Sequence, residues 1–278
     1  MRPLLAVDGD SFAHRAYHAL PKKAFRRKDG GPGNALEGFT TMLVRLWEGE
    51  RPRAVLVAWD TLEVPTYRHT EFVGYQAGRE FEPELLEQLD LLPGFVAKAG
   101  IPCAKAPGYE ADDFLGAAVA REEAAGGFAL VATSDRDAFQ LASDRTTVLQ
   151  PVRGSGPARI GPAEVRERYG VEPAQVPDFI ALRGDPSDRI PGARGVGEKG
   201  AANLLAQYGS LEELLVEGRF AAEAEALRLY RHLATLDRSA PLPELPDHEP
   251  DWLALAEHAG DLGLARLAGR LEEAASST

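Results

Sequence analysis

A chain of 278 residues is long enough for one large domain or two small ones, and 44% hydrophobic with 27% charged residues excludes a mostly disordered protein. Asp plus Glu number 43 against 31 Lys plus Arg, a formal net charge of −12 that argues against a nonspecific polycation. It does not exclude nucleic acid, because phosphate binding depends on where cations sit and metal-holding carboxylates inflate the negative count.

The N-terminal apolar run Leu4–Val7 stops at Asp8, too short for a signal peptide or a membrane span. The single cysteine, Cys103, excludes an internal disulfide and a multi-cysteine zinc site and suits a reducing compartment. A soluble, cytoplasmic protein without a membrane partner is expected, and nothing demands more than a monomer. Leu4–Val7, Ala54–Trp59 and Phe128–Thr133 read as buried strands, since near-continuous hydrophobicity suits strands covered on both faces. Helical stripes fill the gaps: Leu36, Phe39, Leu43, Leu46 and Trp47; then Leu85, Leu86, Leu89, Leu92 and Val96 around Pro93; then the Ala-rich stretch from Ala111 to Ala125. Strands alternating with helices predict an α/β fold, a mostly parallel central sheet flanked by helices.

After residue 150 the texture changes. Pro151, Gly154, Gly156 and Pro157 mark a loop or hairpin, and from Ala163 the chain reads helical. Residues 175–215 form a small helical unit with helices from Pro177 to Arg183 and from Lys199 to Tyr208, and the remainder is helix broken between Pro241 and Pro250. Two domains are expected, 1–174 and 175–278.

Each apolar run ends in acid: Asp8, Asp60, and the pair Asp135 and Asp137. In an open α/β sheet, ligands bind beyond the carboxyl ends of the strands, so parallel strands would bring these side chains to one edge. A single acid there is as readily a turn residue or helix cap; three strands ending alike are harder to explain by turns. Glu110, Asp112 and Asp113 add three carboxylates at a helix start, with Glu110 and Asp113 sharing a face and Asp112 pointing elsewhere. Asp185 and Asp188 lie in Gly-Asp-Pro-Ser-Asp. If these acids converge, their repulsion demands cations, and oxygen-only ligands select Mg²⁺ or Mn²⁺. Two such ions suit in-line displacement at phosphate.

Ile190 through Lys199 leads into a helix, and its glycines let backbone approach a ligand while the helix start attracts phosphate. That spacing fits a hairpin gripping a nucleic-acid backbone without reading bases. Tyr67, Arg68, Tyr75 and Arg79 mix aromatics with cations, which suits stacking on a single strand.

In this order the chain resembles the flap endonuclease family, closest to the 5′ nuclease domain of bacterial DNA polymerase I and its free-standing relatives. The matching stretches are Val7-Asp8-Gly9, Trp59-Asp60, Gly74 through Arg79, Pro107 through Asp113, Thr133 through Asp137 and Gly184 through Lys199, which span most of the chain. The resemblance implies a PIN-like 5′ nuclease fold with a helix–three-turn–helix subdomain at about Val176 to Leu215, which in that family often carries a potassium ion. It implies a 5′-3′ exonuclease and flap endonuclease of DNA replication and repair, acting on 5′ flaps, nicked or gapped duplex and 5′ single-strand ends. Two or more Mg²⁺ or Mn²⁺ ions would be held by Asp8, Asp60, Glu110, Asp112, Asp113, Asp135, Asp137, Asp185 and Asp188. Residues about 67–95 would form the arch over a 5′ strand, with Gln76 and Arg79 acting at the scissile phosphate. DNA contacts would come from Arg15, Tyr75, Arg79, Gly192, Arg194, Gly195, Gly197 and Lys199.

Two departures stand out. The family usually has lysine where this chain has Gln76, and many bacterial members have asparagine or glycine where it has Arg189. No polymerase domain follows Thr278, so a stand-alone nuclease is expected. The competing readings are a haloacid dehalogenase-like phosphatase, because Asp8-Gly9-Asp10 follows a strand, and a catalytically weak DNA-structure binder.

Overall fold

The computed structural model describes residues 1–278 except Arg79, Arg153, Ser155, Ser277 and Thr278. In chain order its elements are β1 (Leu4–Asp8), α1 (Gly9–Ala19), α2 (Asn34–Glu50), β2 (Ala54–Ala58), α3 (Tyr67–Glu71), α4 (Pro83–Ala97), β3 (Cys103–Ala104), α5 (Ala111–Ala124) and β4 (Ala129–Ala132). They continue as β5 (Thr146–Gln150), β6 (Ala158–Ile160), α6 (Pro162–Tyr169), α7 (Val176–Arg183), α8 (Glu198–Tyr208), α9 (Leu211–Val216), α10 (Ala224–Ala234), α11 (Trp252–Asp261) and α12 (Ala265–Ser276). No helix among the described residues is long and apolar enough to cross a membrane.

The strands form one sheet in the order β3-β2-β1-β4-β5-β6, parallel throughout except for β6, which pairs antiparallel with β5. The expected α/β fold with a mostly parallel sheet is therefore present, and the glycine-rich turn after Pro151 closes a β5–β6 hairpin. The chain leaves β1 toward β2 on one side and returns to β4 on the other. The switch in strand order lies between β1 and β4, and a crevice opens there beyond the carboxyl ends.

Alternation along the strands splits the core in two. Leu5, Val7, Val55 and Val57 face α1, α2, α4, α11 and α12, whereas Leu4, Ala6, Leu56 and Val131 face α5 and the helical unit. The helical unit shares the second core without a break. Tyr169 stacks on Phe179 with ring centroids 4.9 Å apart, and Phe139 packs on Tyr169 at 5.7 Å.

Two segments sit elsewhere than sequence order suggests. α11 and α12, expected with the helical unit, fold back onto α2, where Trp252 meets Trp47 edge-on at 5.4 Å. Their stripe of Trp252, Leu255, Leu267 and Leu271 is fully buried, and each such side chain contributes about 1.5–3 kcal/mol by leaving water. α4, expected within the arch, is also a wall of the sheet, with Leu85, Leu89, Leu92, Phe95 and Val96 buried. Among the described residues between Asp60 and Pro83, those from Asp60 to Thr66 and from Tyr75 to Gly78 line a cavity beside the crevice.

Candidate active site

β1 ends in Asp8, which caps α1 by accepting from the Ser11 N–H at 2.9 Å. Its other oxygen accepts from the Thr133 hydroxyl at 2.7 Å, and that hydroxyl in turn accepts the Asp135 N–H at 3.0 Å. The neighbouring strand end is tied in the same manner. The Asp60 N–H donates to Asp10 at 2.7 Å, and Asp60 accepts from the Ala111 N–H at 2.7 Å. The loops after β1 and β2 and the start of α5 are thus tied by carboxylates accepting backbone N–H groups, and the loop after β4 joins them through the Thr133 hydroxyl.

Asp10 is a site residue that sequence reasoning passed over, having read it only as half of a phosphatase-like motif. The available signal was its position two residues beyond a strand end. It is buried, and burial followed by the nearby Asp60 carboxylate pushes its pKa well above the usual carboxylate range.

A cleft of about 580 Å³ opens at this edge, lined by Asp8, Asp10, Asp60, Glu110, Asp112 and Asp135, with Arg15, His14, His18, Gln76, Arg136 and Ser187 around them. A smaller cavity of about 30 Å³ joins it to the second acidic group, between Gln76, Glu110, Asp112, Asp135, Asp137 and Asp188. Burial is the first cause of the raised pKa values throughout. It lifts Asp8, Asp112 and Asp137 above the usual range and brings Glu110 to about 7 and Asp188 to about 6. Neighbouring carboxylates add to it: Asp135 and Asp8 act on Asp112, while Asp135, Asp188 and Asp185 act on Asp137.

Asp113 is not among them. It is fully buried and faces inward, where Arg68 binds it at 2.7 and 2.8 Å through both terminal nitrogens. Its remaining capacity goes to the Glu110 and Asp237 backbone N–H groups at 3.0 and 2.8 Å. Glu110 and Asp113 do share a reciprocal cap at the start of α5, as their spacing predicts. That cap turns Asp113 into the core and leaves Asp112, expected to point elsewhere, on the cleft.

Tyr75 also differs from expectation. Its ring is buried and meets His69 edge-on at 5.2 Å, so it offers no face for stacking on a base. Its hydroxyl reaches Glu110 at 3.1 Å and Asp188 at 3.3 Å, where the carboxylates accept. Gln76 donates its amide to Asp188 at 2.9 Å, and its backbone N–H donates to the Asp188 carbonyl at 3.2 Å. Asp185 is held by Arg183 at 3.1 Å and by the Ser187 N–H at 2.7 Å. Arg79 lies outside the described residues.

In the helical unit, Gly192 serves the hairpin itself. A Cβ there would stand 2.5 Å from the Gly184 nitrogen, so the glycine permits two backbones to touch instead of admitting a ligand. Gly195, Gly197 and Lys199 face open space at the start of α8. Arg194 is exposed, and its N–H donates to Glu223 at 3.0 Å.

The donor set suits hard divalent cations. It is all oxygen, and one buried oxygen, Asp112 Oδ1, meets no hydrogen-bond donor. The small cavity beside it has room for a water-sized occupant. Among the described residues, no three acid, histidine or cysteine side chains close into a finished coordination shell; the carboxylates line the cleft around a shared space.

Residues 3–170 match the family described as 5′-3′ exonuclease, N-terminal resolvase-like domain, and residues 171–252 match its C-terminal SAM fold. DNA polymerase I of Mycobacterium bovis is 42% identical over 255 residues, 88% of this chain and 28% of that protein. The thermostable DNA polymerase I of Thermus thermophilus is 38% identical over 250 residues, 86% of this chain and 29% of that protein. The chain thus spans less than a third of the length of these relatives. A bacteriophage T5 flap endonuclease solved with DNA and metal ions has the same fold, with a TM-score of 0.71 at 18% identity over 99% of this chain and 100% of that one. Flap endonuclease-1 from Methanococcus jannaschii superposes with a TM-score of 0.62 at 15% identity over 100% of this chain and 94% of that one. With both of its domain matches running from residue 3 to 252 over this fold, the chain belongs to the 5′-3′ exonuclease family.

Proposed function

We propose that the chain hydrolyses phosphodiesters near the junction of a 5′ single strand with duplex DNA, using two or more Mg²⁺ or Mn²⁺ ions. Asp8, Asp60, Glu110 and Asp112 would hold one ion, and Asp135, Asp137, Asp185 and Asp188 the other. When bound, such ions neutralise the acids, activate a water and polarise the phosphate. The chain's own residues do the rest. Thr133 and the backbone N–H groups of Ser11 and Ala111 fix the carboxylates in advance of substrate. Arg15 and Arg136 face the cleft as phosphate partners. The open start of α8, with Gly195, Gly197 and Lys199, would hold duplex backbone, and a potassium ion at this hairpin would add to that grip. A monomer suffices for all of this.

The observation that carries the reading is the buried, unpartnered oxygen of Asp112 among carboxylates delivered from separate loops. A 5′-labelled flap duplex should be cut near its branch with Mg²⁺ or Mn²⁺ and stay intact with chelator. Hydrolysis of small phosphomonoesters without flap cleavage would instead indicate a phosphatase. Flap binding without any metal-dependent cleavage would indicate a DNA-structure binder.

A further inference from the structure

A phosphodiester entering this site meets a cleft walled by acids, so cations on its rim decide whether a polyanion can approach. One side supplies them directly through Arg15 and Arg136. A second wall, residues 75–78, reaches the cleft at the neutral Gln76 and lines an adjoining cavity with the buried Tyr75, Ala77 and Gly78.

Arg189 packs against that second wall at Gly78. It is exposed, follows Asp188 directly, and forms no ion pair among the described residues. Its guanidinium lies along the wall: a Cβ on Gly78 would stand 3.2 Å from Arg189 Nη2 and 3.9 Å from its Cζ. Its backbone is left-handed, φ 58°, a region that disfavours an arginine and suits glycine or asparagine. Gln76, bonded to Asp188 by backbone and side chain, is also left-handed at φ 45°. A strained, exposed arginine without an ion pair among the described residues is placed to act on something outside the fold.

We propose that Arg189 is the phosphate-binding cation of this wall, contacting the 5′ single strand beside Gln76 and Gly78. The inference rests on the proposed 5′ nuclease reading. It makes the two unusual residues one exchange: a neutral residue at 76 and a cation at 189, joined through Asp188.

The test is Arg189→Gly, because glycine removes the charge and relieves the backbone. The variant should melt at the same or a higher temperature than the wild type. It should bind a 5′-flap duplex about threefold to tenfold more weakly at 0.1 M salt in Ca²⁺, with a salt slope shallower by about 0.7, one single-strand phosphate contact. Arg189→Lys should keep most of that slope. A blunt duplex without a 5′ single strand should bind both proteins alike. Gln76→Lys added to Arg189→Gly should restore part of the flap affinity. Equal flap affinity and slope for wild type and Arg189→Gly would overturn the proposal, as would an equal loss on blunt duplex. A wild type that neither binds nor cleaves flaps would instead overturn the nuclease reading, so the two failures are distinct.

Discussion

The two halves of the acidic site are held in different ways. At the sheet edge, Asp10 and Asp60 accept from backbone N–H groups of neighbouring loops, whereas Asp8 accepts from the Ser11 N–H of its own helix and from the Thr133 hydroxyl. In the helical unit, Asp188 is held mainly by side chains that arrive from the spanning segment, Tyr75 and Gln76. Backbone donors at strand ends stay in place as long as the sheet does. Side-chain donors on a segment between α3 and α4 stay only while that segment is docked. The first half-site is therefore held largely by backbone, and the second depends on side chains of the segment between α3 and α4.

The adjacent residues Asp112 and Asp113 sharpen this contrast most. Asp112→Asn should lower single-turnover flap cleavage at least about a hundredfold while leaving thermal stability equal or higher, since it removes a buried carboxylate oxygen without a donor. Asp113→Ala should do the reverse. Removing the bidentate partner of buried Arg68, which keeps Glu110 at 3.5 Å, should cost about 3 kcal/mol in urea denaturation, with cleavage by the folded fraction falling far less. Loss of cleavage at unchanged stability in Asp113→Ala would return this residue to the metal-binding set.

How much of this could be read from sequence follows from what periodicity records. Asp8, Asp60 and Asp135 were legible because a buried strand followed by an acid fixes both the element and the sheet edge. The choice between Asp112 and Asp113 was not, because spacing shows that Glu110 and Asp113 share a face but not which face the core takes; Arg68, 45 residues away, decides it. Tyr75 read as a stacking residue because an aromatic among cations has that composition, whereas its burial is set by α5 and the helical unit. β3 and β6 are too short to show a pattern. α11 and α12 carried clear helical stripes, yet no local signal says which core receives them.

The side-chain-held half should yield to a smaller change. Tyr75→Phe removes one hydroxyl that serves Glu110 and Asp188 together and leaves the packing of the ring intact. Mn²⁺ affinity, measured by calorimetry in the absence of DNA, should fall about tenfold for the weaker of two binding steps. Thr133→Val, which removes the donor to Asp8, should instead act on the other step. If both variants weakened the same step, the site would behave as one unit and the division into halves would fail.

The smallest effect belongs to a residue outside both halves. Lys199 is exposed in the first turn of α8, next to the open backbone of Gly195 and Gly197 and on the helical unit instead of the cleft. On the proposed function, a cation so placed would touch a phosphate of the duplex without reading its base, so its loss should be felt equally on every sequence. Lys199→Ala should weaken binding about threefold at 0.1 M salt and flatten the salt slope by about 0.9, the value for one contact on duplex DNA. It should do so on blunt and flapped duplex alike, unlike a change beside the 5′ strand. Fluorescence anisotropy across a salt series with both substrates measures this. An unchanged slope would mean that Lys199 meets only solvent, and the start of α8 would then grip through its backbone alone.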